Sequence, residues 1–131
     1  MVKGGCHCGA VRYEATGDPA YSALCHCSDC RKSAGAPMVG WALFPKEAVS
    51  VTGEVASYAS SEHATRQFCA RCGTGLFYLN ETIFPGQIDI QTATLDDQAA
   101  FPPAIHVQYA EAAPWMDGAH GLPRFERYPE E

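Results

Sequence analysis

The chain has 131 residues, 47% of them apolar, and a formal charge of −6. That length suits one domain with a real core, here residues 1–131, and no run of about 18 apolar residues offers a membrane span. The nine basic residues are scattered, which argues against nucleic-acid binding, and the start "MVKGGCHCGA" lacks the apolar stretch of a signal peptide, so a cytoplasmic protein is expected.

Strand-like runs dominate. In chain order they are "AVRYEA" (10–15), "MVGWALF" (38–44), "EVASYAS" (54–60), "TRQFCA" (65–70), "GLFYL" (75–79), "QIDIQTA" (87–93) and "AIHVQYA" (104–110). Each is short, rich in β-branched or aromatic residues, or bounded by turn formers. Between them, Ser28 to Ala34 can form one or two helical turns, and "PKEAV" (45–49) a turn opened by Pro45. The expected fold class is mainly β, antiparallel, with small helical segments.

Seven cysteines are many for a reducing compartment, and an odd number cannot all pair, so metal ligation is the better default. They fall into three groups: Cys6 and Cys8; Cys25, Cys27 and Cys30; Cys69 and Cys72. In an extended C-x-C both sulfurs project to one side, and C-x-x-C before a glycine, as in "CARCG" (69–73), is a common half of a zinc knuckle. The simplest partition is four plus three. Cys6, Cys8, Cys69 and Cys72 would close a structural tetrahedral site, tying the N-terminal turn to a hairpin some sixty residues on. One rival pairs Cys25 and Cys27 with Cys69 and Cys72; another is a single two-metal thiolate cluster.

Cys25, Cys27 and Cys30 then form a second site with one position open, the pattern of catalytic zinc. A side chain of the chain itself would close it in the structural alternative; His26, Asp29, His63, His106 and His120 are the candidates. His7 and His26 lie between two cysteines, where an extended backbone points them away from the sulfurs. Three thiolates on Zn2+ leave a net charge of −1, which suits water activation less than three neutral histidines do. A sulfur-rich centre favours a fourth sulfur, so the expected ligand is a small thiol held as thiolate for attack on an electrophile such as an aldehyde. Arg31 and Lys32 follow directly, either to meet anionic groups of that thiol or as a solvated basic turn.

"GGCHCGAVRYEATG" (4–17), "CHCSDCRKSAGAP" (25–37) and "FCARCGTGLFY" (68–78) together resemble the glutathione-dependent formaldehyde-activating enzyme family. The tail "HVQYAEAAPWMDGAHGLPRFERY" (106–128) is also similar to that family's. The resemblance implies an Mss4-like antiparallel β-sheet fold with two Zn2+ per chain. It implies a structural zinc on Cys6, Cys8, Cys69 and Cys72, and a catalytic zinc on Cys25, Cys27 and Cys30. The implied reaction is that of a carbon–sulfur lyase: reversible addition of glutathione to formaldehyde, giving S-(hydroxymethyl)glutathione. The partners expected are thus a small thiol such as glutathione and a small aldehyde, with neither nucleic acid nor membrane. The alternative, from a different class, is a non-catalytic two-zinc β module for protein interaction.

Overall fold

Apolar residues on alternate positions of β strands need a second layer to cover them, and here one sheet supplies it to the other. The computed structural model of the chain describes residues 1–129, so the last two residues of the expected 1–131 domain lie outside the described residues. A three-stranded sheet has the order β1 (Val2–Gly5), β2 (Arg12–Ala15), β5 (Val49–Thr52). The larger sheet has seven strands: β3 (Ser22–Cys25), β4 (Val39–Pro45), β6 (Val55–Ala59), β7 (Ala64–Cys69), β8 (Gly75–Asn80), β9 (Gln87–Gln91) and β10 (Ile105–Val107). Their order is β10-β3-β4-β9-β8-β7-β6. Pairing is antiparallel except between β10 and β3, which run parallel. Among the described residues a single α-helix, α1 (Ser28–Ala34), falls where the sequence places one, and a 3-10 turn over Lys46–Ala48 follows Pro45. Among the described residues no helix is long and apolar enough to cross a membrane.

The mainly β class and each of the seven strand-like runs are found, with ends that coincide or shift by up to three residues. β1, β3 and β5 were not foreseen. β1 reads "VKGG", a poor strand by propensity. Its glycines serve close approach: a Cβ on Gly4 would lie 2.3 Å from the Tyr13 hydroxyl and 2.5 Å from the Thr94 carbonyl oxygen. The Tyr13 hydroxyl in turn hydrogen-bonds Thr94 Oγ1 at 2.7 Å, so a bare backbone is needed where two sheets meet.

The main core lies between the sheets. Val11, Tyr13 and Ala15 pack with Ala42 and Phe44 of β4, Phe77 of β8, and Ile88 and Ile90 of β9. Tyr13 and Phe77 meet edge to face, ring centroids 5.5 Å apart. The opposite face of β4 carries Val39 and Trp41, which form a smaller cluster with Cys25 and Cys30. Strand β4 is therefore buried on both faces, as its nearly unbroken apolar run implies.

Phe77 is 1% exposed and central to this packing. Phe77→Ala should lower stability by about 3–5 kcal/mol, read as a lower urea midpoint with an unchanged slope. A loss below about 1 kcal/mol would contradict a core placed there.

Candidate metal centres and the pocket beside them

Two turns of similar build bring Cys6, Cys8, Cys69 and Cys72 together. In the N-terminal turn, Cys6 N–H donates to the Val11 carbonyl (3.0 Å), Gly9 N–H to the Cys6 carbonyl (3.2 Å), and Gly9 takes φ 83°. In the β7–β8 turn, Cys69 N–H donates to the Thr74 carbonyl (2.9 Å), Gly73 N–H to the Cys69 carbonyl (2.9 Å), and Gly73 takes φ 82°. The left-handed backbone requires glycine at both places. Each turn also aims N–H groups at sulfur: Val11 at Cys6 Sγ (3.2 Å), and Arg71 and Cys72 at Cys69 Sγ (3.3 and 3.4 Å). A bridge from His7 N–H to Thr74 Oγ1 (3.1 Å) joins the two turns.

The four sulfurs, Cys6, Cys8, Cys69 and Cys72, all lie within 4.8 Å of one another. Cys6–Cys8 is 3.6 Å and Cys8–Cys69 is 3.8 Å. Four thiolates around a tetrahedral zinc, each at about 2.3 Å, have sulfurs about 3.8 Å apart, so the donor set fits such an ion. The cysteines are free thiols, without a disulfide. The Thr74 hydroxyl, helped by the Thr74 and Cys8 backbone, holds the Cys72 thiol down to about 5. A thiolate is the form a metal needs.

The second group is made by α1. Cys25 ends β3, Cys27 is the N-cap of the helix, and Cys30 lies in its first turn. Cys27 Sγ accepts the Cys30 N–H at 3.3 Å, the place an oxygen usually takes at an N-cap. The helix stops at Gly35, whose left-handed backbone (φ 66°) donates its N–H to the Arg31 carbonyl at 2.8 Å. One helical turn thus returns Cys30 towards Cys27 and Cys25, and the three sulfurs lie within 4.8 Å of one another. Among the described residues no histidine nitrogen or carboxylate oxygen joins either group within that distance, so the four-plus-three grouping is the one the fold brings together.

The candidate closing ligands lie elsewhere. His26 is fully buried, and its Nε2 lies 2.9 Å from His106 Nδ1, with Tyr109 edge-on to both rings. Asp29 is exposed at the mouth of the trio's pocket, and His63 is exposed beside Glu62. His120 is exposed in the 3-10 turn Met116–Gly121. Arg31 turns back to donate from Nε to the His26 carbonyl at 3.2 Å, and Lys32 is exposed.

The sequence pattern did not single out Arg66 or Asp89. Arg66 of β7 lies over the Tyr78 ring, 4.9 Å from its centroid, and its Nη2 approaches Cys30 Sγ at 3.6 Å. Hydrogen bonding from Cys25 holds the Cys30 thiol down to about 5; burial opposes this, and Cys27 and the Arg66 guanidinium add to it. Cys25 moves up instead, through its hydrogen bond to Cys30 and through burial. Asp89 Oδ2 accepts from the Tyr21 hydroxyl at 3.0 Å. Burial pushes the Asp89 carboxyl up to about 7, against the lowering effect of Tyr21 and with that of Cys30. Both residues line a cavity of about 420 Å3 that opens on Cys25, Cys27 and Cys30, with Tyr21, Trp41 and Tyr78 among its walls. The one sequence signal for Asp89 was an acid between two isoleucines, which says only that it faces away from them.

A mainly β protein with two cysteine clusters, each able to hold a metal ion, is the class these features define. The family described as glutathione-dependent formaldehyde-activating enzyme matches residues 1–111, and the chain belongs to it. An uncharacterized lyase of Schizosaccharomyces pombe is 32% identical over 106 residues, 73% of this chain and 75% of that protein. A Halomonas elongata protein named "putative glutathione-dependent formaldehyde-activating enzyme" is 27% identical over 129 residues, 89% of this chain and 80% of the relative. A crystal structure of a Rhodobacter sphaeroides protein superposes with a TM-score of 0.60 at 24% identity, covering 80% of this chain and 99% of the other. That likeness bears on the fold alone.

In the metal-free protein, Cys30 should stay open to alkylation as the pH falls towards about 5 and lose reactivity below it, since the thiolate is the nucleophile. Arg66→Met should move that midpoint upward, because a lowering influence is removed. Mapped alkylation rates that superpose for the two proteins would contradict the Arg66–Cys30 contact.

Proposed function

We propose that the chain is a zinc-dependent carbon–sulfur lyase that joins a small thiol to a small aldehyde, acting as an S-(hydroxymethyl)glutathione synthase on glutathione and formaldehyde. Membership of the family supports the lyase class. The observation that carries the rest is the trio Cys25, Cys27 and Cys30, which opens on a cavity and offers three protein ligands where a closed site needs four. In this reading Cys6, Cys8, Cys69 and Cys72 hold a structural zinc and the trio holds a catalytic one, in a single domain working in the cytoplasm. Seven free cysteines suit a reducing compartment.

Bound at the trio, zinc supplies a soft position that keeps an incoming thiol as thiolate near neutral pH. The chain's own residues then orient and shield. In the addition, the substrate sulfur bonds to the carbonyl carbon, the carbon–oxygen π bond breaks, and the thiol's proton ends on the new hydroxyl oxygen. Tyr21, Trp41 and Tyr78 line the space beside the trio and limit water there. Arg66 donates to Cys30 and places positive charge next to a site otherwise rich in anionic sulfur.

The zinc-loaded protein should speed exchange between free formaldehyde and its glutathione adduct, followed by NMR line shapes, and Cys30→Ser should abolish the effect. If no thiol and aldehyde pair is accelerated by protein carrying two zinc ions, the enzyme reading fails and the interaction module takes its place.

The two clusters should also differ in stability. Cys6→Ser or Cys72→Ser should cost roughly 3 kcal/mol or more, since metal binding there is part of folding. Cys30→Ser should leave the melting temperature within a few degrees while lowering zinc content from two ions to one. Equal melting losses at all three positions would overturn the division of roles.

A further inference from the structure

Asp89 is 3% exposed, and only one of its two oxygens is satisfied. Oδ2 accepts from Tyr21, while Oδ1 is buried with no hydrogen-bond partner. Strand register fixes its direction. Ile88 and Ile90 face the main core, and Asp89, opposite Leu43 and Tyr78, faces the other side, where it lines the cavity with the cysteine trio. Buried carboxylates are ordinarily paired with a cation or fully hydrogen-bonded. Among the described residues Asp89 makes no ion pair, and the Tyr21 hydroxyl is its hydrogen-bond donor.

The rest of the pocket repeats the same sign. Asp29 and Glu111 line it as well, and Glu111 is anchored there by accepting the Ser28 N–H at 3.1 Å. Among the described lining residues Arg66 is the single cation; its Nη2 donates to Cys30 and its guanidinium lies over the Tyr78 ring, while its Nε is buried without a partner, so three carboxylates share the cavity with one guanidinium. A thiol carrying a carboxylate close to its sulfur meets repulsion in such a space. A thiol carrying an ammonium brings the charge the site lacks.

We propose that this pocket receives an ammonium group borne by the thiol substrate, with Asp89 Oδ1 as its acceptor and Asp29 and Glu111 favouring its entry. The proposal rests on the thiol–aldehyde function above. It selects ammonium-bearing thiols, among them simple aminothiols and glutathione through its one amino group, over thiols that are only acids.

The test uses the zinc-loaded protein and three thiols of nearly equal size: cysteamine, 2-mercaptoethanol and 3-mercaptopropionate, titrated by calorimetry at one pH. Wild type should bind cysteamine about tenfold more tightly than 3-mercaptopropionate, with 2-mercaptoethanol between. Asp89→Asn keeps an acceptor for Tyr21 and should shrink the cysteamine to 2-mercaptoethanol ratio about fivefold. Comparing ratios between variants cancels differences in thiol acidity. Should Asp89→Asn fail to fold, the exposed pair Asp29→Asn and Glu111→Gln should narrow the wild-type span about threefold. N-acetylated glutathione should bind more weakly than glutathione if the tripeptide's amine is the group recognised, and equally if only small aminothiols use the site. Binding of 3-mercaptopropionate as tight as that of cysteamine overturns the ammonium proposal and leaves the thiol chemistry standing. No binding of any thiol overturns both.

Discussion

Sulfur crowding is the constraint on which the rest of this protein depends. Four sulfurs in one place and three in another lie within 4.8 Å of their neighbours, and thiolates at such range repel unless protons or a cation lie between them. The fold prepares for that in the backbone. Each of the two knuckle turns bends through a left-handed glycine and points N–H groups at sulfur, so the donors are oriented before any ion is bound. The same group of four cysteines joins the first turn of the chain to the β7–β8 hairpin, so it fastens the small sheet to the large one.

The large sheet separates two environments. Along β4, Ala42 and Phe44 look into the apolar core, while Val39 and Trp41 look towards the cysteine trio. Along β9, Ile88 and Ile90 take the first side and Asp89 the second. Period-two alternation therefore places a carboxylate and an indole on the floor of a pocket without disturbing the packing behind them. The helix above that floor is only seven residues long, yet it sets the trio, because the C-x-x-C spacing closes one turn and Cys27 caps the helix it belongs to.

Electrostatics in the pocket follow from this arrangement. Cys30 is held as the more acidic thiol by its sulfur neighbours and by Arg66, which reaches it from β7, three strands along from β4 in the sheet order. Asp89 is driven the other way by burial, which the hydrogen bond from Tyr21 opposes and Cys30 reinforces. The two groups thus carry opposite departures from their ordinary acidity within one cavity, a pattern common where a site handles ligands.

The spacing of seven cysteines marked three local ligand groups, because C-x-C and C-x-x-C are geometries that a short turn enforces; four plus three was the simplest way to combine them, and the contact between the N-terminal turn and the β7–β8 turn chose it over the rival pairings. Alternating or continuous apolar runs were likewise enough to mark seven strands and the helix that begins between the second and third cysteines of the trio, since period and turn residues act over a few positions. The strands that escaped notice, β1, β3 and β5, are short, and β1 has glycine where another backbone must come close, a requirement set by Tyr13 and Thr94 far along the chain. Arg66 and Asp89 escaped for the same reason. In "TRQFCA" and "QIDIQTA" each is an ordinary polar residue on the outer side of a strand. Only the order β4-β9-β8-β7, with the helix and the segment around Ile83 and Phe84 laid over that side, turns it from solvent into a pocket wall. Ligand identity was local chemistry, while burial, sign of charge and what faces the sulfurs were decided by contacts between residues distant in sequence.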